Sequence, residues 1–220
     1  TVEERSTLPG ERLSADLCGP FPITSLGGSN YFLLVKDDAT GFMFFKTLKD
    51  KSETANKMEE VLNEIHSSTN HTVKRLRTDN GTEFKNEKFS QLLKDRRIKH
   101  ELTIAYSPQM NGLIERENQT IQQIMRIYIH SNKLPQHLWA ELANTAVYIL
   151  NRVPKGNQML IPYEMWFKKR VNLEHIRSIG SRCFVHIPKE KRDKLSLVSE
   201  QGILVGFGES RKFYRVYIPK

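Results

Sequence analysis

Two cysteines in 220 residues, Cys18 and Cys183, are too few for a disulfide framework or a four-cysteine zinc site. Their scarcity points to a reducing compartment. Long apolar runs are missing as well. Stretches such as Tyr31–Val35 are far too short to span a bilayer, so no membrane partner is expected. The chain shows no signal peptide, internal repeat or low-complexity tract. It opens on Thr rather than Met, which reads as a piece of a longer chain. What is present is globular: 38% hydrophobic and 9% aromatic residues exclude wholesale disorder. The length allows one large domain, or a medium one with a small companion.

The net charge is +9, with a pI near 9.5. Its distribution tells more than its total. Residues 1–110 hold sixteen basic and sixteen acidic side chains, and residues 111–150 hold three of each. Residues 151–220 hold fifteen basic and six acidic, which supplies the whole surplus. A neutral front and a basic tail suggest two tasks, packing or chemistry first and contact with a polyanion second. A lysine-rich surface that merely keeps the protein soluble would give the same count.

Apolar spacing divides the front into strands and helices. Residues 1–11 read as an irregular lead-in, and Arg12–Cys18 as a strand ended by Gly19-Pro20. Tyr31–Val35 and Phe42–Lys46, separated by Asp37-Asp38-Ala39-Thr40-Gly41, read as a hairpin. Ala55, Met58, Val61, Leu62 and Ile65 share one helical face, with Asp50 or Ser52 placed to cap the start. Val73–Thr78 is a strand, 86–96 a helix and Ile98–Leu102 a strand. Ser107-Pro108 should break the chain before a long helix over 112–131, and Pro135 should open another that runs to Leu150. Beyond residue 156 come short β-rich pieces, Cys183–Ile187, Gly202–Gly206 and Phe213–Ile218, with basic residues between them. The expectation is an α/β fold with a mixed sheet of about five strands between helices, then a small β-rich basic C-terminal region. The divisions are 1–11, 12–155 and 156–220, with the boundary somewhere near 155–175.

Three carboxylates stand out. Asp16 lies near the end of the first strand. Asp79 follows a strand directly and opens an Asn-Gly turn, and Glu115 lies early in the long helix. Strand-end carboxylates point out of the sheet edge, where α/β folds bind ligands. Positions 115, 119, 122 and 126 carry Glu, Gln, Gln and Arg, a polar stripe beside the apolar one. Each acid has an ordinary explanation when taken singly. Asp79 would be a turn residue, Glu115 a complement to the helix dipole and Asp16 a solvated edge residue.

The combination is more specific. Asp16-Leu17-Cys18-Gly19-Pro20 comes first, then Thr78-Asp79-Asn80-Gly81-Thr82-Glu83-Phe84. Separated from Asp79 by thirty-five residues, Glu115-Arg116 follows Ser107-Pro108-Gln109-Met110-Asn111-Gly112-Leu113-Ile114. Downstream stand Leu134-Pro135-Gln136-His137-Leu138-Trp139, Leu150-Asn151-Arg152, Pro162-Tyr163-Glu164-Met165-Trp166 and Gly202-Ile203-Leu204-Val205-Gly206-Phe207. With these motifs in this order over nearly its whole length, the chain resembles the retroviral and retrotransposon integrases, and within them the copia type.

The resemblance implies an RNase H-like core in which Asp16, Asp79 and Glu115 form the catalytic and metal-binding triad. It implies Mg²⁺, with Mn²⁺ able to substitute, and the joining of element ends into target double-stranded DNA. Carboxylate oxygens are the hard ligands that Mg²⁺ prefers. Arg116, Gln119, Arg126, Lys168, Lys169 and Arg170 are the expected DNA contacts. A homo-oligomer that acts in the nucleus after a cytoplasmic particle stage also follows from the resemblance. Three positions depart from the family pattern. Gln119 stands where relatives carry a basic residue, which weakens DNA grip. Thr82 replaces a common Gly. Val171 replaces a common Pro, which should loosen the start of the C-terminal region.

Other residues are expected to be structural. Asp37 and Asp38 read as turn residues and Glu83 as a structural acid. His66, His71 and His100 read as solvated, Phe44, Phe45 and Trp139 as core, and Cys18 as a small packing residue. The seven histidines and two cysteines form no zinc constellation, so the family's amino-terminal zinc module would have to lie upstream or be absent. Two rival readings carry less of the sequence. One is a nuclease that cuts RNA in hybrids. The other is a domesticated copy that only binds DNA or protein.

Overall fold

The structure, a computed structural model, describes residues 8–103, 108–155, 160–208 and 213–219, and for 108–111 only their place in a helix. Five strands form one sheet: β1 (Arg12–Cys18), β2 (Tyr31–Asp37), β3 (Met43–Leu48), β4 (Arg75–Thr78) and β5 (Lys99–Leu102). Their order is β3-β2-β1-β4-β5. β1, β2 and β3 pair antiparallel in chain order. β4 lies parallel to β1 and β5 parallel to β4, because α1 (Thr54–Ser68) and α2 (Glu87–Asp95) carry the chain back across the sheet.

Both faces of the sheet are covered, so β2 reads as an unbroken apolar run rather than an alternation. Phe32, Leu33, Leu34 and Val35 are all fully buried. Leu33 and Val35 join Leu13, Ala15 and Leu76 under α1 and α2. Phe32 and Leu34 face the other way, toward α3 (Pro108–Ser131) and α4 (Trp139–Leu150). Strand alternation therefore turns Leu13 and Ala15 to the first layer and Ser14, Asp16 and Cys18 to the second.

Several boundaries differ from expectation. Pro108 opens α3 rather than breaking the chain before it, since a proline at the first helical position loses no hydrogen bond. A short 3₁₀ turn over Lys51–Glu53 precedes α1, and neither the Asp50 nor the Ser52 side chain caps it. Asn86 does cap α2, its side chain accepting from Phe89 N. α5 (Pro162–Phe167) lies beyond residue 155, yet its Trp166 is 1% exposed and stacks on Phe42. The segment around α5 is thus built into the first core layer, not into a separate tail.

The C-terminal region is a three-stranded antiparallel sheet, β6 (Arg182–His186), β7 (Ser199–Phe207) and β8 (Tyr214–Tyr217), in the order β6-β7-β8. β7 docks on α4. Val205 enters the second core layer, and Thr145 Oγ1 donates to Val205 O at 2.9 Å. Gly206 permits the contact, because a Cβ there would collide with Thr145 Oγ1. Arg215 Nη1 donates to both carboxylate oxygens of Glu141, at 3.0 and 2.8 Å. The N–H of Val171 donates to Glu164 Oε1 at 2.9 Å, a tie that proline could not make. The expected loosening at this position is therefore offset.

Candidate active site

Asp16 stands on β1 on the face that looks toward α3. The β1–β4 register pairs Ser14 with Arg77, and Asp16 and Asp79 each lie two residues further along, close enough for the charge of Asp79 to act on Asp16. Asp79 keeps its turn: Oδ1 accepts from Gly81 N at 2.9 Å. A Cβ at Gly81 would meet the Glu83 carboxylate at 2.8 Å and Asp79 Oδ1 at 3.0 Å, so a larger residue would displace both side chains. Glu115 is exposed on α3, one turn before Asn118.

The electrostatics of Asp16 report all three acids. Its pKa is pushed up to about 6, first by burial and then by the negative charge of Asp79, with a smaller push from Glu115. The Asn118 amide and the Leu17 N–H hold it back. Asp16 Oδ1 accepts from Leu17 N at 3.0 Å, and Oδ2 accepts from Asn118 Nδ2 at 2.6 Å. Carboxylates at the end of β4 and on α3 thus both act on the carboxylate of β1. Among the described residues, however, no three His, Cys, Asp or Glu side chains lie close enough to form a ready metal cage. The donor set still fits Mg²⁺, which is held by only one or two protein carboxylates alongside substrate phosphates and water. Asp16 and Asp79 would be that pair, with Glu115 at the rim.

Asn118 is a residue that sequence reasoning missed. It is 5% exposed, and its own buried Oδ1 has no hydrogen-bond partner among the described residues. The signal was available: Ile114, Ile121 and Met125 form a buried stripe, and Asn118 occupies a position where that stripe calls for an apolar side chain. A buried amide needs a partner, and Asp16 is that partner. A second missed cluster is ionic. Glu117 on α3 takes Lys36 of β2 at 2.8 Å and Lys155 at 3.1 Å. Burial pushes the Glu117 carboxyl up, but the two lysines overcome this and hold it below the usual range.

The other acids take structural roles. Asp37 is fully buried and accepts from Gly10 N, Thr40 N and Thr40 Oγ1 at 2.8, 2.8 and 2.6 Å. Asp38 accepts from Arg12 Nε at 2.5 Å and Ser14 Oγ at 2.8 Å. Glu83 pairs with Lys51 at 3.5 Å. Two histidines expected to be solvated are not. His71 is half-buried with Nε2 at 2.9 Å from Trp166 O. His100 is half-buried with Nε2 at 2.9 Å from Thr78 Oγ1, and burial lowers its pKa. His66 is exposed. Phe44 and Trp139 are core and Phe45 half-buried. Burial, with help from Asp16, pushes the Cys18 thiol up to about 11, and its sulfur accepts from Gln122 at 3.3 Å. A thiol held that high is an inert packing group.

Arg116, Gln119 and Arg126 are exposed along α3, with Arg116 Nε bonded to Gly112 O. Lys168, Lys169 and Arg170 are exposed directly after α5. α3 and α5 pack on opposite faces of the central sheet, so these are two patches rather than one.

Comparison with known proteins places this geometry among relatives. The integrase core domain family matches residues 6–108, and the retroviral polymerase SH3-like domain family matches residues 181–220. Glu115 lies outside both spans. The chain is 35% identical over 220 residues to the retrovirus-related Pol polyprotein from transposon TNT 1-94 of Nicotiana tabacum, covering all of this chain and 17% of that protein. It is 25% identical over 210 residues to the polyprotein from transposon RE2 of Arabidopsis thaliana, covering 95% of this chain and 14% of that one. The chain therefore spans only a small part of these relatives' length. Among solved structures, a simian T-cell lymphotropic virus intasome in complex with the PP2A regulatory subunit B56 gamma matches with TM-score 0.61 and 14% identity, over 98% of this chain and 78% of that one. The HTLV-2 integrase catalytic core domain in complex with magnesium, in trimeric form, matches with TM-score 0.54 and 19% identity, over 73% of this chain and 99% of that one. At such identities the structures show a shared fold.

Proposed function

Because the chain belongs to the retroviral and retrotransposon integrase family, we propose that it trims and joins DNA 3′-ends by in-line phosphoryl displacement at Asp16, Asp79 and Glu115. The observation that carries this reading is the placement of Asp16, largely buried on β1 and held by Asn118, within reach of the charges of Asp79 and Glu115. A divalent cation such as Mg²⁺, or Mn²⁺ in its place, would activate the attacking oxygen and stabilise the leaving one. The chain's own residues do the rest. Asp16 and Asp79 present oxygens from adjacent strand ends, and Glu115 adds one from α3. Asn118 fixes the rotamer of Asp16 by donating to Oδ2. The Asp79 turn, closed on Gly81 N, keeps that carboxylate at the sheet edge. The attacking oxygen is water during end trimming and a DNA 3′-hydroxyl during joining. In each step a new P–O bond forms as the opposite P–O bond breaks. Exposed Arg116, Arg126, Lys168, Lys169 and Arg170 hold DNA phosphates, and Gln119 adds a neutral hydrogen bond.

The partners proposed are double-stranded DNA and further copies of the chain, acting in the nucleus. The test is strand transfer on a labelled oligonucleotide with Mg²⁺ or Mn²⁺. Asp16→Asn, Asp79→Asn and Glu115→Gln are each expected to abolish cleavage and joining while metal-free DNA binding persists, since amides are poor ligands for hard cations. Joining near the wild-type level by any one of them removes that residue from the proposed ligand set.

A further inference from the structure

A cavity of about 340 Å³ opens beside the carboxylate centre, between the β1–β2 connection, α3 and the start of α4. Its apolar wall is Phe21, Ile23, Met125, Ile129 and Trp139. Its polar groups are Gln122, Arg126, His130 and Gln136, with no carboxylate among the described lining residues. The volume lies at the small end of ligand pockets, suited to one nucleotide-sized heterocycle rather than to a peptide. The wall is built in advance. Phe21 stacks on Trp139 with ring centroids 4.2 Å apart, and Trp139 Nε1 donates to Ile23 O at 2.8 Å. Phe21 N donates to Asn30 O at 2.8 Å, which anchors the other side of the connection.

The cavity adjoins the proposed centre through named bonds. Gln122 on its rim donates to Cys18 Sγ, and Cys18 follows Asp16 by two residues on β1. One helical turn before Gln122, Asn118 donates to Asp16 itself. A DNA strand whose phosphate lies at Asp16 and which runs along α3 toward Arg126 would therefore pass the mouth of the cavity.

The geometry points to a pocket that takes one unpaired base of the DNA strand engaged at the carboxylate centre, an inference that rests on the function proposed above. Phe21, half-buried over the 3%-exposed Trp139, offers an apolar surface against which any base can rest. The amides of Gln122 and Gln136 each present donors and an acceptor to a base edge. Arg126 at the rim complements the attached phosphate.

The test uses the full 220-residue chain with Ca²⁺, a hard cation that neutralises the carboxylates, and measures binding to two duplexes with the same two-nucleotide overhang, one carrying bases and the other abasic sugars. Wild type is expected to bind the base-bearing overhang about tenfold more tightly. Ile129→Trp, which fills the cavity, is expected to remove this preference while leaving affinity for the abasic duplex unchanged. If that variant does not fold, Gln136→Leu on the rim is expected to reduce the preference in the same way. Equal affinity of wild type for the two duplexes overturns the inference, as does a full preference in a folded, cavity-filled variant. Strand transfer assayed separately keeps the two readings apart. Joining activity without a base preference sinks the pocket alone, and a base preference without joining supports the pocket while sinking the catalytic reading.

Discussion

Asp16 carries a penalty in the folded, metal-free protein that its replacement should lift. Its folded pKa of about 6 lies above the ordinary aspartate value of 3.8. For a carboxyl raised in this way, the folded state holds its proton more tightly than the unfolded state. The associated stability is fully present below about pH 4, falls as pH rises, and is gone above about pH 6. Asp16→Asn is therefore expected to raise the stability of the metal-free protein at pH 7.5 by about 1–3 kcal/mol. At pH 4 the gain should vanish, and thermal melts at the two pH values check both halves. Added Mg²⁺ should raise the melting temperature of wild type and not of the variant. Asn118 acts through its neighbour. Asn118→Ala leaves Asp16 Oδ2 without its donor and is expected to slow joining by about 10- to 100-fold. A purely structural role would lower stability and leave the pH profile alone. A positioning role shifts the acid limb of the joining rate upward, because Asp16 then holds its proton to higher pH.

At the level of elements, α5 and β7 decide where the chain can be divided. Trp166 is 1% exposed and packs against Phe42, Phe44 and His71. Ending the chain at residue 155 strips this side chain from the core. The cost should resemble that of a large-to-small core substitution, about 3–5 kcal/mol. A chain of residues 1–155 is expected to melt well below one of 1–172, which keeps α5 and the Val171–Glu164 tie. Comparable melting temperatures for the two would show that α5 is dispensable. Removing residues beyond 172 still exposes the α4 surface that Val205 and Thr145 share, so solubility rather than melting should suffer most there.

Across the whole molecule, charge and chemistry are segregated. Residues 151–220 hold the entire net positive charge, whereas the carboxylate centre belongs to a front half with none in excess. A metal-free acidic centre repels DNA, so initial affinity should come from the basic surface. Because truncation disturbs the core, neutralisation tests this more cleanly. Lys168→Gln, Lys169→Gln and Arg170→Gln together are expected to flatten the plot of log affinity against log salt by about 0.9 for each phosphate left without its cation. An unchanged slope assigns these residues to solubility or to a partner surface. Sequence preference should be unaffected, since phosphate contacts position DNA without reading its bases.

Most of the architecture was legible because it is local. β2 is a run of four buried apolar residues, α1 repeats its apolar positions at helical spacing, and Asn80-Gly81 marks a turn wherever it occurs. The candidate acids were legible for the same reason, as their flanking motifs lie within a few residues of each. What no local pattern could decide was who meets whom. Asn118 reads as one more polar residue on a helix until α3 is laid across β1, 102 positions away in the chain, and Asp16 becomes its partner. His71 and His100 look solvated until α5 and α2 pack on them. Trp166 looks like part of a tail until it is found within the sheet's first core layer. Propensity and periodicity act over one or two turns of chain, so the sequence determines the elements and their apolar faces. Burial, and with it the pKa of Asp16, depends on contacts between distant segments, which only the tertiary structure sets.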